Sequence, residues 1–233
     1  MLLFHIFLIL ASYFLGAVPF MILIGRMRGV DLSHEPDLHH ALWYNVGRPW
    51  GILGFMLDIL KGILPVLAGF LLGFPLTIDA LAGLAALCGQ MWPIFRHFDG
   101  ERGNTVSTGI NFTLSFAYAV PLIFFIALAI AIAGFLLRTA LRWKDSGSNL
   151  DERMRLGGSP SLVFPLAVII GFASCPVSSA LLGQPVEMTL AFTGVVLLIL
   201  VRRLTAGLPA DLRGSRRPWS VIVNRLLFDR SEK

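Results

Sequence analysis

The chain has 233 residues, of which 56% are hydrophobic and only 14% charged, with 19 Lys and Arg against 14 Asp and Glu. A soluble globule carries about a quarter of its residues as charged side chains, so this composition, with a mean hydropathy of +0.76, excludes that class and points to an integral membrane protein. The net charge of +5 does not point to nucleic acid, because the basic residues are spread through loops where anionic headgroups attract them.

The first apolar run, 2–25, is about as long as a membrane helix needs. Its basic residues, Arg26 and Arg28, follow the run instead of preceding it, unlike those of a secretory signal. It is predicted to be one crossing that enters from outside. In the loop after it, His34, Glu35, Asp37, His39 and His40 crowd together; they are zinc-ligand types, but the spacing fits no metal motif and no metal is expected. Run 51–73 carries Asp58 and Lys61 three residues apart, hence on one helical face. An ion pair securing the helix end is the simpler reading of charges at this depth, and a Lys61 facing a phosphate is the alternative.

Run 78–95 follows, with Ala80, Ala82, Gly83, Ala85, Ala86 and Gly89 forming a small-residue face that lets helix backbones approach closely. Beyond it, Gly100 and Gly103 bracket Arg102 just before a helix. Such a loop can turn successive N–H groups toward an anion, although Asp99 and Glu101 add negative charge there. Runs 106–117 and 162–173 are about twelve residues each, short of the roughly 20 that a span requires. Between 106–117 and 121–137, Pro121 marks a turn. Segment 143–158 reads as a polar loop, 188–201 as the last crossing, 207–219 as irregular, and 220–228 as an amphipathic helix on the membrane surface. Cys88 falls in an apolar run and Cys175 in an outer loop, so no disulfide is expected.

Crossing at all seven runs leaves gaps 26–50, 96–105, 138–161 and 202–233, which hold every Lys and Arg except Lys61, alternating with gaps 74–77, 118–120 and 174–187, which hold none. The positive-inside rule then gives an all-α membrane protein with seven transmembrane helices, N-terminus outside and C-terminus cytoplasmic. One membrane domain is expected over 1–233, with polar cytoplasmic insertions near 143–158 and 204–219. The chain has no G-x-S-x-G elbow for a serine hydrolase and no paired broken helices of the transporter kind.

The order of motifs resembles that of a known family. Tyr13-Phe14-Leu15-Gly16-Ala17-Val18-Pro19-Phe20, then Ile24-Gly25-Arg26 and Gly29-Val30-Asp31, are similar to the first helix and loop of the acyl-phosphate:glycerol-3-phosphate acyltransferases of the PlsY type. Leu57-Asp58-Ile59-Leu60-Lys61-Gly62 resembles that family's LDxxKG. Segment 80–89 with Pro93, Phe95, Phe98, Gly100 and Gly103 resembles its third helix and glycine loop. The closing Arg225-Leu226-Leu227-Phe228-Asp229-Arg230-Ser231-Glu232 resembles its RLLxGxE. In the places of the family's GSxNxGxTN, GH and KGGKG, this chain has a stretch keeping only Asn45 and Arg48, then Gly89-Gln90, then Asp99-Gly100-Glu101-Arg102-Gly103. Trp219 and Ile222 stand where the family has His and Asn.

The resemblance implies transfer of an acyl group from acyl phosphate to glycerol 3-phosphate, giving lysophosphatidic acid for phospholipid synthesis at the cytoplasmic face of the inner (plasma) membrane. No metal, cofactor or acyl-enzyme is implied, and the partners are membrane lipid and the two small substrates. Arg48, Lys61, Arg102 and Arg225, with Gly100 and Gly103, are the implied phosphate contacts. His39, His40, Asn45, Ser159 and Ser161 are the implied supporting polar groups. The alternative is a catalytically inactive protein on the same scaffold that binds lipid or a lipid-synthesis partner.

Overall fold

The computed structural model describes residues 1–35, 37–143, 163–214 and 218–228. Its described residues are helical and divide into two compact units, Met1–Ala119 and Val120–Lys233. Five helices, Arg48–Leu71, Leu76–Arg96, Pro121–Ala140, Phe164–Leu181 and Val186–Thr205, are long and apolar enough to cross a membrane, and a bent pair at the N-terminus makes a sixth candidate. This is the architecture of an integral membrane protein.

The first unit holds α1 (Leu2–Ala17), α2 (Phe20–Met27), α3 (Leu38–Ala41) running into a π-helical turn (Leu42–Val46), α4 (Arg48–Leu71), α5 (Leu76–Met91), a 3-10 turn (Ile94–Arg96) and α6 (Asn104–Ala117). The single helix expected over 2–25 is broken into α1 and α2, which meet at 44°. Pro19 is the cause: it offers no N–H and pushes the preceding Val18 into an extended conformation. α6 is the short helix foreseen; its 14 residues span about 21 Å.

Two close crossings organise this unit, and each uses glycine from both partners. A Cβ on Gly16 of α1 would overlap the carbonyl of Ala86 on α5, and one on Gly89 of α5 would overlap the carbonyl of Tyr13 on α1. Gly62 of α4 and Gly109 of α6 approach the carbonyls of Val106 and Ile59 in the same reciprocal way. Lipid tails give apolar helices no hydrophobic reason to associate, so such backbone-to-backbone packing is a main source of their affinity. The Tyr13 hydroxyl adds a hydrogen bond to the Trp92 carbonyl at 2.8 Å.

The second unit holds α7 (Pro121–Trp143), α8 (Val163–Leu181), α9 (Val186–Thr205), α10 (Leu208–Gly214) and α11 (Pro218–Phe228). α8 is longer than the run 162–173 predicted, and Cys175 lies buried inside it instead of in an outer loop. Its polar residues bond within the bundle: the Ser174 hydroxyl donates to the Gly171 carbonyl at 2.7 Å, and Ser179 shares a 2.8 Å hydrogen bond with Thr189 of α9. Segment 207–219, expected to be irregular, contains α10. Pro209 and Asp211 lie at the start of that helix, where proline costs no hydrogen bond and an acid suits the helix dipole. The amphipathic helix foreseen at 220–228 is α11, while most of the insertion 143–158 lies outside the described residues.

Candidate functional site

A network of charged and polar side chains in the first unit is the best-built candidate. Its foundation is an apolar cluster of Met21, Ile22, Ile24, Leu32, Leu38 and Leu42. Leu38 and Leu42, four residues apart and buried, seat α3 in this cluster, and the Asp37 carboxylate caps α3 by accepting the His40 N–H at 3.0 Å. So seated, α3 brings His39 onto α4, with its Nε2 3.4 Å from Asp58 Oδ2.

Asp58 and Lys61, fully buried on α4, form the expected ion pair at 2.8 Å. The structure adds a third member that the sequence did not suggest. Lys61 Nζ donates to Gln90 Oε1 at 2.6 Å, and Gln90 Nε2 donates to Asp58 Oδ2 at 3.1 Å. The three side chains thus close a ring that ties α4 to α5. A lysine and a carboxylate are tolerable at such depth only when each meets its partner and the remaining hydrogen-bonding capacity is filled.

The glycine loop provides the other wall. Its Gly100 and Glu101 N–H groups do not face an anion; they donate to the Met91 and Gln90 carbonyls at 3.2 and 3.0 Å, closing the C-terminal end of α5. Gly100 is required by closeness, because a Cβ there would overlap the Gln90 carbonyl. Gly103 has a φ of +75° and begins α6. The fold of this loop delivers the Glu101 carboxylate to His39, with Oε2 3.5 Å from Nε2.

His39 Nε2 therefore lies against two carboxylates. Burial works against the charged imidazole, but the hydrogen bond to Asp58 and the negative charge of Glu101 outweigh it and raise the His39 pKa. Burial, reinforced by the nearby Asp58 charge, pushes Glu101 up to about 7, against the opposing pull of His39, Lys61 and Arg96. Glu101 also lines a small, partly open groove, with room for about one water, together with Val18, Pro19, Gln90, Arg96 and Gly100 where α1 breaks into α2.

His39, Asp58 and Glu101 are close enough to hold a metal ion, their ligand atoms lying within 4.8 Å of one another. Lys61 already pairs with one oxygen of Asp58 and Gln90 donates to the other. A metal ion would have to displace these donors, so the cluster is built as a hydrogen-bonded ion network.

Of the residues singled out in the sequence, His39, Lys61 and Gly100 come together here. Arg48 begins α4 and Arg102 follows Glu101, both exposed. The Asn45 amide donates to Glu35 at 3.3 Å, and His40 stacks on Tyr44 with ring centroids 4.5 Å apart. In the second unit, Arg225 donates to the Arg203 carbonyl at 3.2 Å, to the Ala206 carbonyl and to Asp211. Ser159 and Ser161 lie outside the described residues. Gln90, Arg96 and Glu101 were not foreseen as site residues. The signal for Gln90 is a polar amide at the last turn of an otherwise apolar membrane helix, and for Glu101 its place between two glycines.

The family model described as glycerol-3-phosphate acyltransferase matches residues 6–206. A protein of that name from Trichlorobacter lovleyi is 36% identical over 146 residues, covering 61% of this chain and 71% of its own length. One from Aquifex aeolicus is 27% identical over 71% of this chain and 87% of its own, and one from Legionella pneumophila 39% identical over 49% and 42%. Two solved structures of PlsY (YgiH), an integral membrane glycerol 3-phosphate acyltransferase, have the same fold. The lysophosphatidic acid form gives a TM-score of 0.66 at 23% identity and the glycerol 3-phosphate form 0.67 at 24%, each covering 90% of this chain and 92% of the other.

Proposed function

We propose, from the premise that this chain belongs to the glycerol-3-phosphate acyltransferase family, that it is an acyltransferase moving an acyl group from acyl phosphate to glycerol 3-phosphate, with lysophosphatidic acid and phosphate as products. The observation that carries this reading is the family match over residues 6–206, which takes in both units. An acyl phosphate is a mixed anhydride and already activated, so the reaction requires chiefly that two anions be held together and that charge on the carbonyl oxygen be stabilised. We assign phosphate binding to loop cations of the first unit: Arg96 in the groove, Arg102 six residues after it on the same loop, and Arg48 at the start of α4. Lys61 is held by Asp58 and Gln90, and we assign it the role of fixing the floor under those loops.

The same reading makes this a multi-pass protein of the inner membrane with its chemistry on the cytoplasmic side, because the basic loops favour that face. α6 counts as a seventh crossing in that arrangement, placing the N-terminus outside. The chain forms one membrane domain in this reading.

The test is direct. Purified protein given palmitoyl phosphate and labelled glycerol 3-phosphate is expected to yield labelled lysophosphatidic acid, and absence of product with a series of acyl phosphates overturns the proposal. Arg102→Ala is expected to lower kcat/KM for glycerol 3-phosphate roughly ten- to a hundredfold, the worth of one charge-assisted hydrogen bond. An unchanged kcat/KM removes Arg102 from the site.

A further inference from the structure

Acyl transfer to an alcohol needs a destination for the hydroxyl proton, and a useful base stands within hydrogen-bond reach with a pKa near the working pH. Three side chains of the network are chemically able to serve. Asp58 is fully buried and both its oxygens are engaged, by Lys61 and by Gln90. His39 turns Nε2 toward two carboxylates, and its Nδ1 is buried away from solvent, so neither nitrogen offers a lone pair to the groove. Glu101 differs from both. It is the one of the three that lines the groove with Arg96, and His39 Nε2 lies 3.5 Å from one of its oxygens.

We propose that the Glu101 carboxylate accepts the proton of the attacking glycerol 3-phosphate hydroxyl, with His39 and Asp58 as positioning residues. This rests on the acyl-transfer reading above. As the hydroxyl oxygen bonds to the acyl carbonyl carbon, its proton passes to Glu101. The carbonyl re-forms as the bond from that carbon to the phosphate oxygen breaks, and phosphate leaves with the bonding pair. Glu101 then returns the proton to phosphate or water, and the step balances without another reactant.

The surroundings suit the exchange. Glu101 is faced by His39 from α3, by Asp58 and Lys61 from α4 and by Arg96 from the 3-10 turn, with Asp99 and Arg102 flanking it on its own loop. Burial and the Asp58 charge favour its protonated form, which places its titration at about pH 7. Activity that depends on the Glu101 carboxylate therefore falls as pH drops through about 7 and levels off above it.

Glu101→Gln tests this, since glutamine keeps the size and the oxygen facing His39 but takes up no proton. With palmitoyl phosphate and glycerol 3-phosphate as substrates, kcat is expected to fall at least about a hundredfold, KM for glycerol 3-phosphate to stay within about threefold, and the acidic limb of the pH profile to disappear. Glu101→Asp is expected to keep that limb with an intermediate kcat. A Gln variant with kcat within about threefold of the parent overturns the assignment, as does a slow Gln variant that retains the parental acidic limb. If Glu101→Gln does not accumulate as folded protein, Glu101→Asp decides alone: a kcat equal to the parent's overturns the proposal, and at least about a tenfold loss with the limb retained supports it. A parent protein that makes no product defeats the acyl-transfer reading itself, whereas an active parent with an unaffected Gln variant defeats only the role of Glu101.

Discussion

Gly62→Ala is expected to cost more than about 3 kcal/mol, at or beyond the upper end for an overpacked core, and to abolish recovery of folded protein if the parent has ordinary marginal stability. The reason is the identity of the obstructing atoms. The new methyl would overlap the Val106 carbonyl and crowd the Ile110 amide, both main-chain groups of α6 that cannot rotate away. Relief requires the two helices to separate, and separation undoes the partner contact at Gly109 on the same crossing. Gly73→Ala is the matched comparison, because nothing lies within 4 Å of its added Cβ and only its φ of +71° opposes the change. That strain costs about 1–2 kcal/mol. Unfolding midpoints and the monodisperse fraction after detergent extraction measure both variants, and similar losses for the two would show that the α4–α6 crossing yields more easily than its backbone contact implies.

Asp58→Ala is expected to destabilise the protein by about 3–5 kcal/mol, the cost of leaving a charged partner buried without its counter-ion. Lys61 would remain at 2% exposure, hydrogen-bonded to Gln90 Oε1 alone, with the face of Phe20 5.1 Å away and the more distant Glu101 carboxylate as a weaker counter-charge. Lys61→Met alone is expected to be similarly harmful, since Asp58 would then keep only the Gln90 amide and His39. Joining Asp58→Leu with Lys61→Met removes both charges, and the double variant is expected to recover most of the loss. Thermal unfolding of the two single variants and the double one reads this coupling as non-additivity. Additive losses would mean that the pair contributes little to holding α4 on α5.

The helical membrane fold was legible because it follows from quantities that a sequence states outright: run length and hydropathy. The places where the reading failed are those where a local rule was overridden by partners distant in the chain. Ser174, Pro176 and Ser179 look like loop residues, yet hydroxyls that bond a neighbouring carbonyl or Thr189 are at home inside a helix. Pro19 sits in a run long enough for one helix, and length concealed the break.

The site was legible in part. The spacing of Asp58 and Lys61 gave their ion pair, but Gln90 lies 29 residues from Lys61 and no periodicity connects them. Gly100 reads as a turn residue from its sequence context, but nothing local shows that its N–H serves a carbonyl of α5. Glu101 counted against an anion site when judged by charge alone. Its meaning emerged only when the loop had been folded back onto His39.

The double engagement of Gln90 bears on the exchange of parts between homologous proteins. Its amide side chain grips Lys61 and Asp58, while its main-chain oxygen receives the N–H of Glu101. A chimera that imports residues 99–103 from another member while keeping the local residue at 90 would match one half of this joint to a foreign other half. Swaps intended to alter acceptor preference should therefore carry position 90 and the 99–103 segment as one cassette.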